Sequence, residues 1–214
     1  MEGFGLPSLI DHMKGHDDLW RMGHGQNQEA SDLGLGWLYY GLARALRPSL
    51  AVVIGSWRGF VPMLIGQAIQ DANSNGKLIF IDPSFVDGQW KDDVTAYFQG
   101  FGINCVSHYC QTSEDFLASH RLTANSVDLL FIDGYHTAEQ CRLEYEGFTP
   151  LLAPGAMTLF HDSASHTISK IYGQDRKYEH TVWRYIEELK RDPGLEVTNV
   201  EIAKGVALVR RSGH

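Results

Sequence analysis

The sequence has few cysteines and no long hydrophobic run, and both absences restrict what the protein can be. Its three cysteines, Cys105, Cys110 and Cys141, are odd in number and lack the paired spacing of a zinc site, so we interpret them as free thiols. No apolar run approaches the roughly 20 residues of a membrane span, and the first residues do not resemble a secretory signal. The sequence therefore predicts no membrane association and a cytoplasmic location.

Positive charge is also scarce. The chain has 18 basic and 26 acidic residues and a formal net charge of −8. A nucleic-acid surface would need a clustered excess of Lys and Arg, so we expect a small-molecule partner and no nucleic acid. The 214 residues, 43% of them hydrophobic, are typical of one globular domain. The sequence leaves open whether the protein forms a homo-oligomer.

The common phosphate-binding motifs are missing. The segment from Gly55 to Gly59 reads Gly-Ser-Trp-Arg-Gly, which is neither Gly-x-Gly-x-x-Gly nor a loop ending in Gly-Lys-Ser/Thr. It nevertheless lies between a predicted strand and a predicted helix, where glycine lets the backbone turn sharply and approach a ligand. The segment is therefore either a tight turn or part of a binding site.

The sequence contains instead four short apolar runs, each followed by residues that can bind a ligand or react. They are residues 51–54 before Gly55, 78–81 before Asp82, 127–132 before Asp133, and 156–160 before His161 and Asp162. Because strands and helices alternate, we predict an α/β fold with a doubly wound, mostly parallel seven-stranded sheet, helices on both faces and an antiparallel last strand. Such sheets bind ligands at the carboxyl ends of their strands, so these residues are expected in one cleft.

Two segments outside this alternation are assigned separately. Residues 1–32 are expected to form an irregular N-terminal arm, and residues 33–214 a single domain. The longest stretch without predicted structure, 163–180, follows a strand end, and we interpret it as a lid.

Several motifs resemble a known family. They are Val52 to Gly59, Phe80-Ile81-Asp82, Phe131 to Thr137, and Leu151 to Gly155 followed by Phe160 to Ser163. Together they are similar to the class I S-adenosylmethionine-dependent methyltransferases, in the branch that methylates hydroxyls of small molecules. The resemblance covers about residues 33–210 and implies a Rossmann-like methyltransferase fold with S-adenosylmethionine as cofactor.

The resemblance also implies roles for individual residues. Gly55, Ser56 and Gly59 would border the methionine part of the cofactor, with Asp133 close by, while Glu114 and Asp115 would lie near the adenine. Asp82 would hold the ribose, although an aspartate before Pro-Ser is also typical of a turn or helix cap. Ser113 offers a cap for the helix that carries Glu114. Val53 departs from the family, many members of which have an acidic residue there.

In metal-dependent members, side chains at the ends of the fourth and fifth strands bind a divalent metal and the acceptor hydroxyl. Asp133, His161 and Asp162 match these positions. Carboxylates suit Mg²⁺, whereas an imidazole suits Mn²⁺, Fe²⁺ or Zn²⁺ better. The alternative is that Asp133 packs on the cofactor loop and His161 bonds to backbone.

We assign catalysis to Asp133, His136 and His161. His136 or His166 would deprotonate the acceptor hydroxyl, since a histidine titrates near neutral pH; His136 could equally be a residue that only shapes the pocket. Two other functions remain open. One is an NAD(P)-dependent oxidoreductase on a similar sheet, and the other is a noncatalytic cofactor-binding module, which Val53 and His161 suggest.

Overall fold

Apolar strands in the middle of the chain build a seven-stranded sheet. A computed structural model describes residues 5–72, 75–84, 88–90, 94–170 and 177–213. The strands are β1 (Leu50–Ile54), β2 (Lys77–Ile81), β3 (Val106–Tyr109), β4 (Val127–Ile132), β5 (Leu152–His161), β6 (Ile168–Lys170), β7 (Lys177–Glu179), β8 (Leu195–Val200) and β9 (Val206–Arg211). The helices are α1 (Leu6–Met13), α2 (Gly36–Leu46), α3 (Phe60–Asp71), α4 (Val94–Gly100), α5 (Ser113–Ser119), α6 (Ala138–Phe148) and α7 (Val182–Leu189).

The large sheet has the order β3-β2-β1-β4-β5-β9-β8, and β6 pairs with β7 separately. Strands β1 to β5 run parallel, whereas β9 is antiparallel to both β5 and β8. This confirms the predicted doubly wound sheet with a reversed last strand.

Both faces of the sheet are covered, as alternate residues of the central strands show. Val53 and Phe131 belong to a hydrophobic cluster with residues of α1, α2 and α3, whereas Val52 and Ile132 belong to a second cluster with α6 and α7. Because neighbouring side chains of a strand point to opposite faces, a strand buried on both sides reads as a continuous apolar run.

Strand β5 begins earlier than expected. The apolar run 156–160 predicts a start at residue 156, whereas Pro154 and Gly155 already lie inside the strand. Val127 of β4 pairs with Leu152 of β5, but Leu129, two residues on, pairs with Met157, five residues on. The extra residues of β5 therefore bulge out of the ladder. Gly155 accommodates this bulge with a positive φ of 80°.

The prediction of an irregular arm is wrong for the residues described. This part contains α1 and a 3₁₀ turn at Asp17–Trp20, and Leu9, Met13 and Leu19 are buried in the same cluster as Val53. Leu6, Leu9, Ile10 and Met13 recur at helical spacing, which was the signal in the sequence. The arm therefore contributes to the core beside β1.

The segment 163–180 is partly described and is anchored at both ends. Strands β6 and β7 pair antiparallel, and residues 171–176 lie outside the described residues. The amide of Ala164 donates to the carbonyl of Lys204 at 3.0 Å, and the amide of Thr181 donates to that of His136 at 3.0 Å. Its role as a lid stays a prediction.

Candidate active site at the carboxyl edge of the sheet

Hydrogen bonds join the carboxyl ends of four neighbouring strands, β3, β2, β1 and β4. Gly55 N donates to Ile81 O at 2.8 Å, Asp133 N to Ile54 O at 2.8 Å, and Asp82 N to Tyr109 O at 3.2 Å. Gly55, Asp82 and Asp133 therefore follow β1, β2 and β4 at the same edge of the sheet. Beyond β5, His161 Nδ1 lies 2.7 Å from Asp133 Oδ1. The predicted convergence of these strand ends is confirmed.

Gly55 has to be a glycine for two reasons. Its φ is +72°, and a Cβ atom would lie 2.3 Å from the carbonyl oxygen of Asp133. Ser56 follows with φ 149°, and its buried hydroxyl accepts a hydrogen bond from Val61 N at 3.3 Å. The turn after β1 is thereby held against the end of β4, at the start of α3.

Gly59 also has a positive φ, of 81°, and it packs against aromatic rings. A Cβ atom there would lie 3.0 Å from Trp90 and 3.2 Å from Phe98. The rings of Trp90 and Phe98 are stacked and buried. Packing alone therefore accounts for this glycine, and its place beside the cofactor stays a prediction.

Asp82 is half-buried and forms part of a turn. Its Oδ1 accepts a hydrogen bond from Ser84 N at 2.7 Å, and its carbonyl oxygen lies 3.1 Å from His108 Nε2. The turn interpretation of Asp82 thus holds in this structure. A carboxylate offers about four lone-pair sites, so ribose binding is chemically compatible with an aspartate in a turn.

Glu114 and Asp115 are exposed in the first turn of α5. Thr112 caps this helix by accepting from Asp115 N at 3.1 Å, so the cap is not Ser113. The Ser113 hydroxyl lies 2.9 Å from Glu114 Oε2 and 3.1 Å from Glu144 Oε1. Partial burial raises the pKa of Glu114, but hydrogen bonds within this turn and from Gln140 bring it below its usual value.

Glu144 is a buried carboxyl that the sequence reasoning missed. It lies on α6 with 2% exposure, and its Oε1 accepts from Gln140 Nε2 at 3.0 Å. Burial raises its pKa to about 7, because nearby Glu114 and Asp133 add to the effect and hydrogen bonds from Gln140 and Ser113 only partly oppose it. The signal was an acidic residue on the helix face that carries Cys141, Tyr145 and Phe148.

The predicted metal and catalytic residues form a buried cluster of carboxylates and imidazoles. His161 Nδ1 lies 2.7 Å from Asp133 Oδ1 and 3.4 Å from Asp162 Oδ1. His180 Nδ1 lies 2.6 Å from Asp162 Oδ2, and His136 Nδ1 lies 3.7 Å from the same oxygen. The alternative in which His161 bonds only to backbone is therefore wrong.

Asp162 has a left-handed backbone, with φ 59°. Aspartate and asparagine tolerate this conformation better than most residues, and such strain persists where the surroundings hold it. Its carboxylate is fully buried beside three histidines. The conformation turns the chain out of β5 and brings Asp162 beside His180, which sequence reasoning did not assign.

The electrostatics of the cluster separate charged from neutral groups. Burial raises the pKa of Asp133 and of Asp162, but the neighbouring histidines outweigh burial and hold both below the usual range. The pKa of His161 is raised, because the two carboxylates outweigh its burial. Burial lowers the pKa of His136 to about 4 despite Asp162 and Asp133. His136 is consequently neutral at physiological pH.

His24 joins this cluster from the N-terminal arm. Its side chain is fully buried, with Nδ1 3.1 Å from Tyr39 Oη and Nε2 3.8 Å from Asp133 Oδ2. Its ring stacks on Phe60 and lies 4.0 Å from that of His161, centroid to centroid. Burial, together with His161, lowers its pKa well below the usual value. A lone histidine in a glycine-rich segment gave no signal in the sequence.

Among the residues that the structure describes, two sets of three have the spacing of metal ligands, and they share His161. One set is His24, Asp133 and His161, and the other is His136, His161 and Asp162; within each, one ligand atom per residue lies within 4.8 Å of the others. The predicted trio of Asp133, His161 and Asp162 is thus divided between them. Each set offers two imidazoles and one carboxylate, which suits a borderline divalent transition ion better than Mg²⁺.

Comparison with known proteins identifies the class. The model of a family described as "Methyltransferase domain" matches residues 52–163, which is more than half of the chain. The chain therefore belongs to this methyltransferase domain family. The matched segment runs from β1 through Ser163 and includes Gly55, Asp82, Asp133 and the His161-Asp162 pair. It does not include His24.

One relative in sequence and one solved structure each cover most of this chain. The uncharacterized protein y4gI of Sinorhizobium fredii is 27% identical over an alignment 202 residues long. The alignment covers 82% of this chain but only 20% of that protein, so the chain spans one fifth of its relative. A Corynebacterium glutamicum protein of known structure has a TM-score of 0.69 at 21% identity, covering 97% of this chain and 91% of its own.

A second solved structure is that of the O-methyltransferase TomG from Streptomyces achromogenes, involved in tomaymycin synthesis and determined with SAM. Its TM-score is 0.68 at 16% identity, and the likeness covers 100% of this chain and 93% of TomG. At such identities these likenesses establish the fold. None of the helices in the described ranges is long and apolar enough to span a bilayer.

Proposed function

We propose that the protein transfers a methyl group from S-adenosylmethionine to a hydroxyl of a small molecule. The observation that carries the proposal is the meeting of the Gly55 turn, Asp82 and the Asp133-His161-Asp162 cluster at one sheet edge. Family membership favours methyl transfer over the dinucleotide-dependent alternative, and TomG, of the same fold, was determined with SAM. A cytoplasmic location and the absence of a nucleic-acid partner remain predictions that belong to this proposal.

The chain's residues fit the cofactor at the strand ends. The Gly55 turn presents backbone without a side chain beside the end of β4, Asp82 lies on the next strand, and Glu114 and Asp115 lie in the first turn of α5. When bound, the sulfonium supplies the electrophilic methyl group. Val53 is fully buried and paired in register with Phe80 and Phe131, so in this chain the position serves the core.

The protein's task is then to orient the acceptor oxygen in line with the methyl carbon and sulfur and to exclude water. We assign the positioning of the acceptor hydroxyl to Asp133, His161 and Asp162. The hydroxyl proton passes to His136, which is neutral and whose side chain is 21% exposed at the rim of the cluster. A divalent cation held by the cluster would supply Lewis acidity to that hydroxyl.

Selectivity for the acceptor is assigned to the segments around the cluster. Tyr135 and Tyr178 stack with ring centroids 4.2 Å apart, and Tyr178 in turn stacks on His180. This stack joins the loop after β4 to β7, within the predicted lid of 163–180. We therefore expect a small acceptor, with the lid and the N-terminal arm setting which one fits.

The experiment compares ligand-induced thermal shifts. S-adenosylhomocysteine should raise the melting temperature and NAD⁺ should not; the opposite result contradicts the proposal and favours the oxidoreductase. Asp82→Ala should weaken S-adenosylhomocysteine binding at least tenfold. Asp192→Ala is the matched control, since Asp192 accepts from Gly194 N at 2.8 Å in the same kind of turn away from the site.

Turnover separates an enzyme from a noncatalytic binding module. Labelled S-adenosylmethionine and a panel of small hydroxyl compounds should give labelled product with the wild type. His136→Asn should lower kcat while leaving S-adenosylhomocysteine affinity unchanged. Tight cofactor binding without methyl transfer to any acceptor would favour the binding module.

A further inference from the structure

His24 carries a buried nitrogen that needs a partner. Its side chain has 0% exposure, and within the described residues its Nε2 has no hydrogen-bond partner. Burying a polar atom without a partner is costly, so such an atom in a native site calls for an explanation. His161 Nε2 is likewise buried and has no hydrogen-bond partner within the described residues. The ring centroids of His24 and His161 lie 4.0 Å apart.

The nearest acidic group to His24 stands at a distance typical of two ligands of one ion. Nε2 lies 3.8 Å from Asp133 Oδ2, which is too long for a hydrogen bond. Two donors that each lie about 2.1 Å from a shared metal ion are about 3 to 4 Å apart. His161 completes the set, with one ligand atom from each of the three residues within 4.8 Å of the others.

We propose that His24, Asp133 and His161 form a site for a divalent transition ion of the Zn²⁺ or Co²⁺ class, with the N-terminal arm supplying one ligand. The inference rests on the proposed function only in placing the ion beside the acceptor hydroxyl. The ion itself binds whether or not methyl transfer occurs. His24 precedes the segment that the family model matches, so this ligand comes from outside that segment.

The surroundings of His24 are those of a metal ligand. Tyr39 Oη, 3.1 Å from Nδ1, fixes the ring so that Nε2 points to the carboxylate, as partners of ligating histidines do. Phe60 holds the ring plane by stacking, with centroids 5.1 Å apart at 17°. When Nδ1 of His24 carries the proton and donates it to Tyr39 Oη, Nε2 is deprotonated and its lone pair can bind a metal ion.

In the alternative set of His136, His161 and Asp162, the carboxylate already has an imidazole neighbour from outside the set. Asp162 Oδ2 lies 2.6 Å from His180 Nδ1. His136 is also the more exposed histidine. The structure therefore favours the set that contains His24, and Mg²⁺ is disfavoured because it prefers oxygen ligands.

The test uses the full chain, freed of metal with a chelator and titrated with Co²⁺. We expect one equivalent to bind with a visible ligand-field spectrum that shows nitrogen ligation, Zn²⁺ to displace it, and Mg²⁺ to leave it unchanged. His24→Ala should weaken binding at least thirtyfold and alter the spectrum. His16→Ala, an exposed histidine of the same arm, should behave as wild type. Absence of Co²⁺ binding by the wild type, or wild-type binding by His24→Ala, overturns the proposal.

A second variant keeps the test decisive if His24→Ala does not fold. Tyr39→Phe preserves the packing and removes the hydroxyl beside Nδ1, so it should weaken Co²⁺ binding about tenfold. Unchanged affinity in a folded Tyr39→Phe protein overturns the proposal. S-adenosylhomocysteine binding is measured in parallel. A wild-type protein that binds Co²⁺ but not S-adenosylhomocysteine would refute the methyltransferase proposal and leave the metal site supported.

Discussion

Replacing Glu144 with Gln should change how the protein's stability depends on pH. Burial raises the pKa of this carboxyl from the usual 4.5 to about 7, so the folded state favours its protonated form. A folded pKa above the unfolded one means that the unfolded state loses its proton first as pH rises. The contribution of Glu144 to stability is therefore fully present below pH 4.5, is lost between pH 4.5 and 7, and changes no further above 7.

The size of the effect follows from the two pKa values. One pKa unit corresponds to about 1.4 kcal/mol, so the difference between 4.5 and about 7 amounts to about 3 kcal/mol. Gln keeps the Oε1 acceptor that Gln140 and Ser113 contact but cannot ionise. Glu144→Gln should thus resemble wild type near pH 4.5 and be more stable by about 3 kcal/mol at pH 8.

Urea unfolding at a series of pH values measures this difference. The pH dependence of other groups is common to both proteins and cancels in the comparison. Glu146→Gln, an exposed change on the same helix, should show no such pH-dependent difference. A stability difference between Glu144→Gln and wild type that stays constant from pH 4.5 to 8 would refute the argument that burial raises this pKa.

Changes at four further positions test other parts of the structure. Leu9→Ala should lower the free energy of unfolding by about 3 kcal/mol, because Leu9 is fully buried in the arm, and equal losses in the exposed Leu143→Ala would contradict this packing. Gly55→Ala should prevent stable folding in thermal unfolding experiments, since its Cβ would lie 2.3 Å from Asp133 O; a normal transition would show that the turn can move. Gly41→Ala should stabilise by about 1 kcal/mol, as the position is open and inside α2, and a loss of stability would point to an unseen contact. Asp162→Asn should fold and have reduced turnover. Asp162→Ala should also be less stable, because alanine tolerates the φ of 59° less well than asparagine does. Identical melting temperatures of the two variants would contradict the argument from backbone strain.

The sequence predicted the sheet and its functional edge well, because both depend on local signals. Each central strand is buried on both faces and reads as an apolar run, and the residue after each run lies at the strand end. The place of Asp82, Asp133 and His161 therefore followed from order along the chain. Pro154 and Gly155 misled the prediction of β5, since a bulge lets a strand continue past residues that normally end one.

The parts that were missed depend on tertiary contacts. His24 reaches Asp133 only because α1 and the following turn pack against α2 and α3, and no spacing in the sequence encodes that contact. Glu144 is likewise buried beside Ser113, which is 31 positions away in the sequence. His180 is buried beside Asp162, which is 18 positions away. The roles of Asp82, Glu114 and Asp115 toward a cofactor stay predictions.

The burial of the arm against β1 has a practical consequence for dissecting this protein. A fragment cut at the start of the family-matched segment would lose α1, α2 and the start of β1, would uncover Phe60 and would lack the imidazole that faces Asp133. Truncation would then change solubility and ligand chemistry at once. Swapping this arm between related chains would be a direct way to transplant the chemistry of one pocket onto the sheet of another.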